Sequence, residues 1–425
     1  VTFHTQYAAA RALDAADPLR RFRAEFALPS GSDGKPLVYL CGHSLGLLPL
    51  AARDLVNEEL DDWARLGVTG HHSARRPWIG YAEPLQPLVA ELVGAHAGEV
   101  VAMNSLTVNL HLLMASFYRP AGRRRCVVVE QGAFASDRHA VVSQIEWHGL
   151  GADCLIEVAP RSGMDCIDTA DLEALLHERG ADIALVLWPG VQYRTGQVFD
   201  LQRIAAAAHA AGATCGFDLA HAIGNVPLEL HAAEADFAVW CGYKYLNGGP
   251  GAIAGAFVHA KHERALRPGL AGWWGHDAAS RFEMAPGFVP EPGAAGWQVS
   301  NPPILSAAPL LAALRQFSAA GMPALRAKSV QMTTLVLEQI DLRFAAHVEC
   351  ITPRAVAERG CQLSLRMRAG RDAGRRVFEY LERHGVVADW REPDILRIAP
   401  VPLYNQFEEL VRCCELLHHA LELRG

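Results

Sequence analysis

The chain has 425 residues, 51% of them hydrophobic and 20% charged, which suits two or three packed units rather than one. Its net charge of −7, with basic residues scattered apart from Arg123, Arg124 and Arg125, gives no reason to expect nucleic acid or an anionic membrane as a partner. Ten cysteines without C-x-x-C spacing read as reduced thiols rather than a disulfide framework.

Val1 to Asp17 lack the apolar core of a signal peptide, and no run of about 18 apolar residues appears, so the expected location is cytoplasmic. Residues 1–50 read as an N-terminal arm: a helix from Ala8 to Phe26, a Gly/Pro/Ser stretch, then the apolar run Leu37 to Leu40. Residues 51–66 have helical spacing, and two more helices fall within 85–119, the second opening near Asn104-Ser105-Leu106-Thr107. Strands then alternate with helices: strands at Cys126–Val129, Asp153–Val158, Ile183–Trp188, Thr214–Phe217, Phe237–Cys241 and Ala252–His259, helices at Ala140–Glu146, Thr169–Glu178 and Leu201–Ala211. Short, continuously apolar strands between helices predict an α/β unit with a mostly parallel sheet covered on both faces, over residues 51–303. Beyond Asn301-Pro302-Pro303 the pattern changes. Helices at Leu305–Phe317, Met322–Phe344, 371–384 and 404–422, with strands at Gln362–Leu365 and Ile395–Ile398, predict a smaller α+β domain over 304–425. No metal site is expected: Cys414 and His418 lie four apart on one helix, but no third ligand accompanies them.

In open α/β sheets, ligands sit at the carboxyl ends of the strands. Asp218, in Gly216-Phe217-Asp218-Leu219-Ala220-His221, ends an apolar strand, where a carboxylate is costly unless it meets a cation. The pyridinium of pyridoxal 5′-phosphate is such a cation, and an Asp partner keeps that cofactor an effective electron sink; a plain helix cap reads equally well. Lys244 follows the strand Ala238-Val239-Trp240 directly and is one of only four lysines, with Lys35, Lys261 and Lys328. An amine held out of water there is nucleophilic, as imine formation requires, although most lysines snorkel to the surface. Asn104 to Thr107 opens an apolar helix whose free N–H groups suit a phosphate, or simply carry an N-cap. Phe134, in Gly132-Ala133-Phe134-Ala135-Ser136-Asp137, is placed to stack on a flat ring or to fill a core turn. Gly249-Pro250-Gly251-Ala252-Ile253-Ala254 matches a dinucleotide fingerprint in letters only, because a strand rather than a helix follows it; it reads as a glycine-rich turn.

Longer strings carry a resemblance. Asn104 to Leu113, Gly216 to Asn225 and Tyr243-Lys244-Tyr245-Leu246-Asn247 resemble kynureninases. So do Arg76-Pro77-Trp78, Gly272 to His276, Val299 to Ile304 and Arg397 to Asn405. The resemblance runs from about residue 37 to the C-terminus. It implies a fold-type-I, pyridoxal-phosphate-dependent homodimer with shared active sites that hydrolyses the Cβ–Cγ bond of kynurenine or 3-hydroxykynurenine to an anthranilate and L-alanine. By position it implies that Lys244 carries the cofactor, Asp218 pairs the pyridinium, and Leu106, Thr107 and Ser136 lie at the phosphate. Phe134 would stack on the ring beside Asp137, with His221 near Asp218. Tyr243 would reach the phosphate and serve as an acid, and Trp273 and Asn301 would complete the site from the neighbouring subunit. Arg397 would bind the substrate carboxylate, with Ser44 close by. His71, Ser300 and Asn301 look like the polar ring pocket of animal-type enzymes, which implies a preference for 3-hydroxykynurenine. Two departures stand out: Pro189 where many relatives carry Ser, and His43 where they often carry Asn. The rival readings are a cysteine desulfurase or aminotransferase of the same fold, a non-catalytic protein of that fold, and, least supported, an NAD-binding oxidoreductase.

Overall fold

The computed structural model describes residues 2–422; residue 1 of the expected arm and residues 423–425 of the expected small domain lie outside it. The first helix runs Phe3–Ala16, earlier and shorter than the expected Ala8 to Phe26. Pro18 accounts for the difference. A residue before proline is steered out of the helical region, and Asp17 turns to ψ 118° ahead of a separate 3-10 turn at Arg20–Glu25. Three short strands follow, β1 (Phe26–Ala27), β2 (Val38–Tyr39) and β3 (Leu48–Pro49), β1 pairing antiparallel with β3.

The main sheet is built from β4 (Val100–Ala102), β5 (Cys126–Glu130), β6 (Leu155–Val158), β7 (Ile183–Pro189), β8 (Thr214–Asp218), β9 (Phe237–Trp240) and β10 (Gly255–Val258). Their spatial order is β4-β10-β9-β8-β7-β5-β6. Strands β5 to β9 pair in parallel, and β10 runs antiparallel to β9 and β4. The expected mostly parallel sheet is therefore present. Val127, Val128, Leu185, Val186, Phe217 and Val239 have no exposed surface, as strands covered on both faces require. β4 escaped the sequence reading, since three residues between two helices show no period of their own. The 249–254 segment is a turn that leads into β10, not a dinucleotide loop.

After the main sheet, helices Ile304–Ala320 and Met322–Gln339 meet at 82°, the bend falling on Gly321 at φ 77°. They lead to β11 (Val348–Cys350), β12 (Leu363–Met367), β13 (Val386–Val387), β14 (Asp389–Arg391) and β15 (Ile395–Ile398). Four of these form an antiparallel sheet in the order β11-β12-β15-β14, while β13 pairs in parallel with β2. The N-terminal segment is tied to this region. Asp14 accepts hydrogen bonds from the Phe407 and Glu408 amides at 2.7 and 3.0 Å, capping helix Phe407–Glu422. Asp17 meets Lys328 at 2.7 Å in a buried ion pair. Ala10, Val38 and Leu40 share one hydrophobic cluster with Val336, Leu365 and Phe407. On the last helix His418 turns to Glu422 at 3.0 Å, while Cys414 is buried. No single helix among the described residues is long and apolar enough to cross a membrane.

Candidate active site

The carboxyl ends of β5, β7, β8 and β9 open onto one cavity of about 730 Å³, its open mouth included. This is the size expected of a small-molecule or cofactor site. Its lining brings together Leu106, Thr107, Phe134, Ser136, Asp137, Asp218, His221, Tyr243 and Lys244, nine of the residues singled out from sequence.

Each arrives on a different strand end or helix start. Asp218 is the last residue of β8, and its Oδ1 accepts the Ala220 amide at 2.6 Å. β9 ends at Trp240, and the chain turns through Gly242 to present Tyr243 and Lys244. Lys244 is half-buried, not fully withdrawn from water as expected; its Nζ stands 3.1 Å from His221 Nε2 and 5.7 Å from the centre of the Phe134 ring. Burial, followed by the nearby charges of Lys244 and Arg397, holds the His221 imidazole well below its ordinary pKa. A neutral ring can accept the Lys244 ammonium proton at Nε2, and its Nδ1 has no protein partner.

Helix Leu106–Phe117 starts at the cavity wall without side-chain capping from Ser105. Asn104 instead bonds Asn109 at 3.0 Å, so the first-turn amides are left for another acceptor. Thr107 Oγ1 and Ser136 Oγ lie 2.6 Å apart at the junction of this helix with helix Ala135–Trp147. Phe134, at the head of the second helix, meets the Tyr193 ring edge-on at 5.2 Å.

Three carboxyl groups converge beneath the cavity. Asp137 is held well above the carboxylate range, by burial first and by its neighbour Asp218 second. Glu130, the last residue of β5, is pushed up to about 8, again by burial first, with Gln192 holding it at 3.3 Å. Asp137 Oδ1 and Glu130 Oε2 lack partners. A protonated pyridine nitrogen would answer this crowding of negative charge, and a phosphate would meet the uncapped helix start and the hydroxyls of Thr107 and Ser136. The residues present therefore fit pyridoxal phosphate. Glu130 was legible by the same signal as Asp218, an acid closing an apolar strand; Tyr193 gave no signal.

The remaining sequence-predicted residues lie elsewhere on this chain. Arg397 is fully buried on β15 and reaches the cavity wall only through the Tyr193 carbonyl, which accepts from Nη1 at 2.5 Å. Ser44 lies in the turn that follows Cys41, to whose carbonyl its amide is bonded. Trp273 is 48% exposed in a separate hollow beside Arg281, whose carbonyl accepts from its indole N–H at 3.1 Å. His71 packs edge-on against Trp78 at 5.5 Å and is exposed, as are Ser300 and Asn301.

Known proteins similar to this chain resolve what such a cavity is for. A kynureninase of Xanthomonas campestris pv. campestris (strain B100) is 54% identical over 407 residues, spanning 96% of each chain. One from Xanthomonas axonopodis pv. citri (strain 306) is 54% identical over 402 residues, 94% of this chain and 95% of its own. The chain belongs to the kynureninase family. The model of the kynureninase C-terminal domain matches residues 325–417, and that of the DegT/DnrJ/EryC1/StrS aminotransferase family matches residues 82–233. Among solved structures, cysteine desulfurases from Thermococcus onnurineus and Escherichia coli superpose with TM-scores of 0.74 and 0.76 at 17% and 18% identity. They cover 91% and 95% of this chain, and 95% and 98% of their own. At that identity they establish the fold-type-I architecture that this kynureninase-family chain shares, not a shared reaction.

Proposed function

We propose that the chain is a pyridoxal-phosphate-dependent hydrolase that cleaves the Cβ–Cγ bond of 3-hydroxykynurenine in preference to kynurenine, releasing 3-hydroxyanthranilate and L-alanine. The observation that carries the reading is the Lys244 amine facing the Asp218–Asp137 carboxyl pair across one cavity, in a chain 54% identical to kynureninases.

When bound, the cofactor supplies an electron sink for the charge left on the amino acid's carbon atoms. Lys244 Nζ would hold the cofactor aldehyde, and its free amine would take and return the proton at the substrate α-carbon. His221 Nε2, at 3.1 Å, accepts a proton of the ammonium form and so keeps Nζ aimed into the cavity. Asp218 would pair with the pyridine nitrogen, and the buried Asp137 carboxyl lines the cavity beside it. Burial, then Cys241, pushes the Tyr243 phenol up to about 12, so it is a proton donor at neutral pH, suited to the γ-carbonyl oxygen or the phosphate. Leu106 and Thr107 amides with Ser136 Oγ would hold the phosphate, and Phe134 would cover the ring. Arg397 anchors the substrate carboxylate as a bidentate fork.

His71, Ser300 and Asn301, exposed on this chain, serve the aromatic end of the substrate from a second copy, which also supplies Trp273. A site that hydrogen-bonds a ring hydroxyl rejects the analogue lacking it. Comparison of kcat/KM for the two substrates tests this: 3-hydroxykynurenine is expected to be favoured, and a clear preference for kynurenine would reject the ring-pocket assignment. A desulfurase would need a reactive thiolate, whereas burial pushes Cys361 and Cys413 up to about 12.

A further inference from the structure

Arg397 already has a carboxylate in its fork. Asp389 stands opposite it in the β14–β15 register, with Oδ1 3.2 Å from Nε and Oδ2 2.9 Å from Nη2. Arg391 pairs with the same carboxylate, its Nη2 donating to Oδ2 at 3.1 Å and its Nε 3.0 Å from Oδ1 without a hydrogen bond. A substrate carboxylate reaching Arg397 must therefore take a place that a carboxylate of the chain now holds.

Two more polar groups face Asp389, the buried Cys41 thiol and His43. His43 Nε2 lies 4.0 Å from Oδ2, too far for a hydrogen bond. The imidazole is 1% exposed, and neither ring nitrogen has a partner. A buried imidazole left unpaired is costly, so it points to a second arrangement of the site in which it is paired. Burial, then the positive charges of Arg397, Arg391 and Lys244, keeps the ring neutral, leaving it one N–H to donate. Its loop is fixed at both ends. The Ala399 amide, just past Arg397, donates to Leu40 O at 2.8 Å, and the Gly46 amide donates to Tyr243 O at 2.9 Å. Gly46 has no room for a side chain, since a Cβ there would press on Asn247 and on the Lys244 carbonyl. His43 thus sits between the carboxylate anchor and the catalytic amine, its ring 6.3 Å from that of His221.

Resting on the reading of Arg397 as the substrate's carboxylate anchor, we propose that Asp389 and His43 are positioning residues for that carboxylate. Asp389 keeps the fork aligned while the site is free of substrate. When the substrate carboxylate takes Arg397 Nη2, which now lies 2.9 Å from Oδ2 without a hydrogen bond, His43 donates its Nε2–H to Oδ2, while Arg391 keeps its Nη2 hydrogen bond to the same carboxylate. The exchange swaps one carboxylate for another at Arg397, so no charge is left without a partner.

The test is titration of the wild-type holoenzyme with L-alanine, followed by the cofactor absorbance, beside His43→Leu and His43→Asn. His43→Leu is expected to raise the alanine Kd and the kynurenine KM about tenfold, the size of a lost hydrogen bond to a charged group, with a much smaller change in kcat. His43→Asn, which restores an N–H donor, is expected to recover most of that loss. Unchanged Kd and KM in His43→Leu, or a loss carried by kcat alone, would overturn the proposal. Its failure is distinct from failure of the parent reading, because only the latter leaves the alanine Kd unchanged in a cofactor-binding Arg397→Gln variant as well. A crystal structure of the wild-type holoenzyme with L-alanine gives a second readout that needs no variant. The Asp389 Oδ2 to His43 Nε2 distance should close to below about 3.2 Å; Asp389 still seated on Nη2 beside bound alanine would sink the idea.

Discussion

Glu130 is one residue whose chemistry the fold sets against its type. Its folded pKa of about 8 lies above the ordinary value of 4.5, so between those limits the folded chain binds a proton that the unfolded chain has lost. Stability from this group is therefore unopposed below pH 4.5 and falls as pH rises towards 8. Glu130→Gln should stabilise the cofactor-free protein at pH 8, with the gain shrinking towards pH 5; urea unfolding at both pH values measures it, and a pH-independent difference would contradict the assignment. Asp218→Asn keeps the shape of the side chain but not its charge. With the cofactor still bound by absorbance, kcat is expected to fall at least about 100-fold, since the electron sink loses its counter-ion. At this scale the sequence was informative where a polar residue closes an apolar strand, as at Asp218 and Lys244. It was silent on Tyr193 and Asp389, which matter only through strands far apart in the chain.

At the scale of elements, apolar runs located β5 to β10 to within a few residues, because strands buried on both faces need continuous hydrophobic sequence. Six strands of two or three residues, β1, β3, β4, β11, β13 and β14, were too short to be read, and β14 carries Asp389. The seam between β8 and β9 depends on Asp236. It accepts the Cys215 amide at 2.7 Å and meets His209 and His262 at 2.8 Å and Lys261 at 2.9 Å. Burial pushes its pKa up, but these partners outweigh it and hold the group far below the usual range. The stability it gives is present above the unfolded value near 4 and is lost as pH falls below that value. Asp236→Ala strands several donors and should cost about 3 kcal/mol in denaturant unfolding at pH 7; a change under about 0.5 kcal/mol would show the cluster to be idle.

For the whole molecule, the N-terminal helix closes against the last one, so Ala10, Val38 and Leu40 share a core with the C-terminal sheet, while Leu19, Phe22 and Phe26 join the core of the main sheet, from which the cavity opens. Six of the fifteen residues carried over from the resemblance, Trp273, His71, Ser300 and Asn301 among them, stand away from that cavity, and no single-chain argument from sequence tests whether a second copy brings them to it. Mixing Lys244→Ala with Asn301→Ala protein tests that arrangement. If Asn301 serves the partner's cavity, reassorted dimers recover about a quarter of wild-type activity, from the one intact site in each mixed pair. Activity no higher than that of either variant alone would place Asn301 in its own subunit's chemistry or in none.

The proposed role of Lys244 is to bind the cofactor aldehyde covalently. Borohydride reduction of the holoenzyme, followed by peptide mass spectrometry, reads that bond directly. A phosphopyridoxyl group on Lys244, and none on Lys35, Lys261 or Lys328, is the predicted result. A label on another lysine, or no label on a protein that nonetheless cleaves kynurenine, would contradict it.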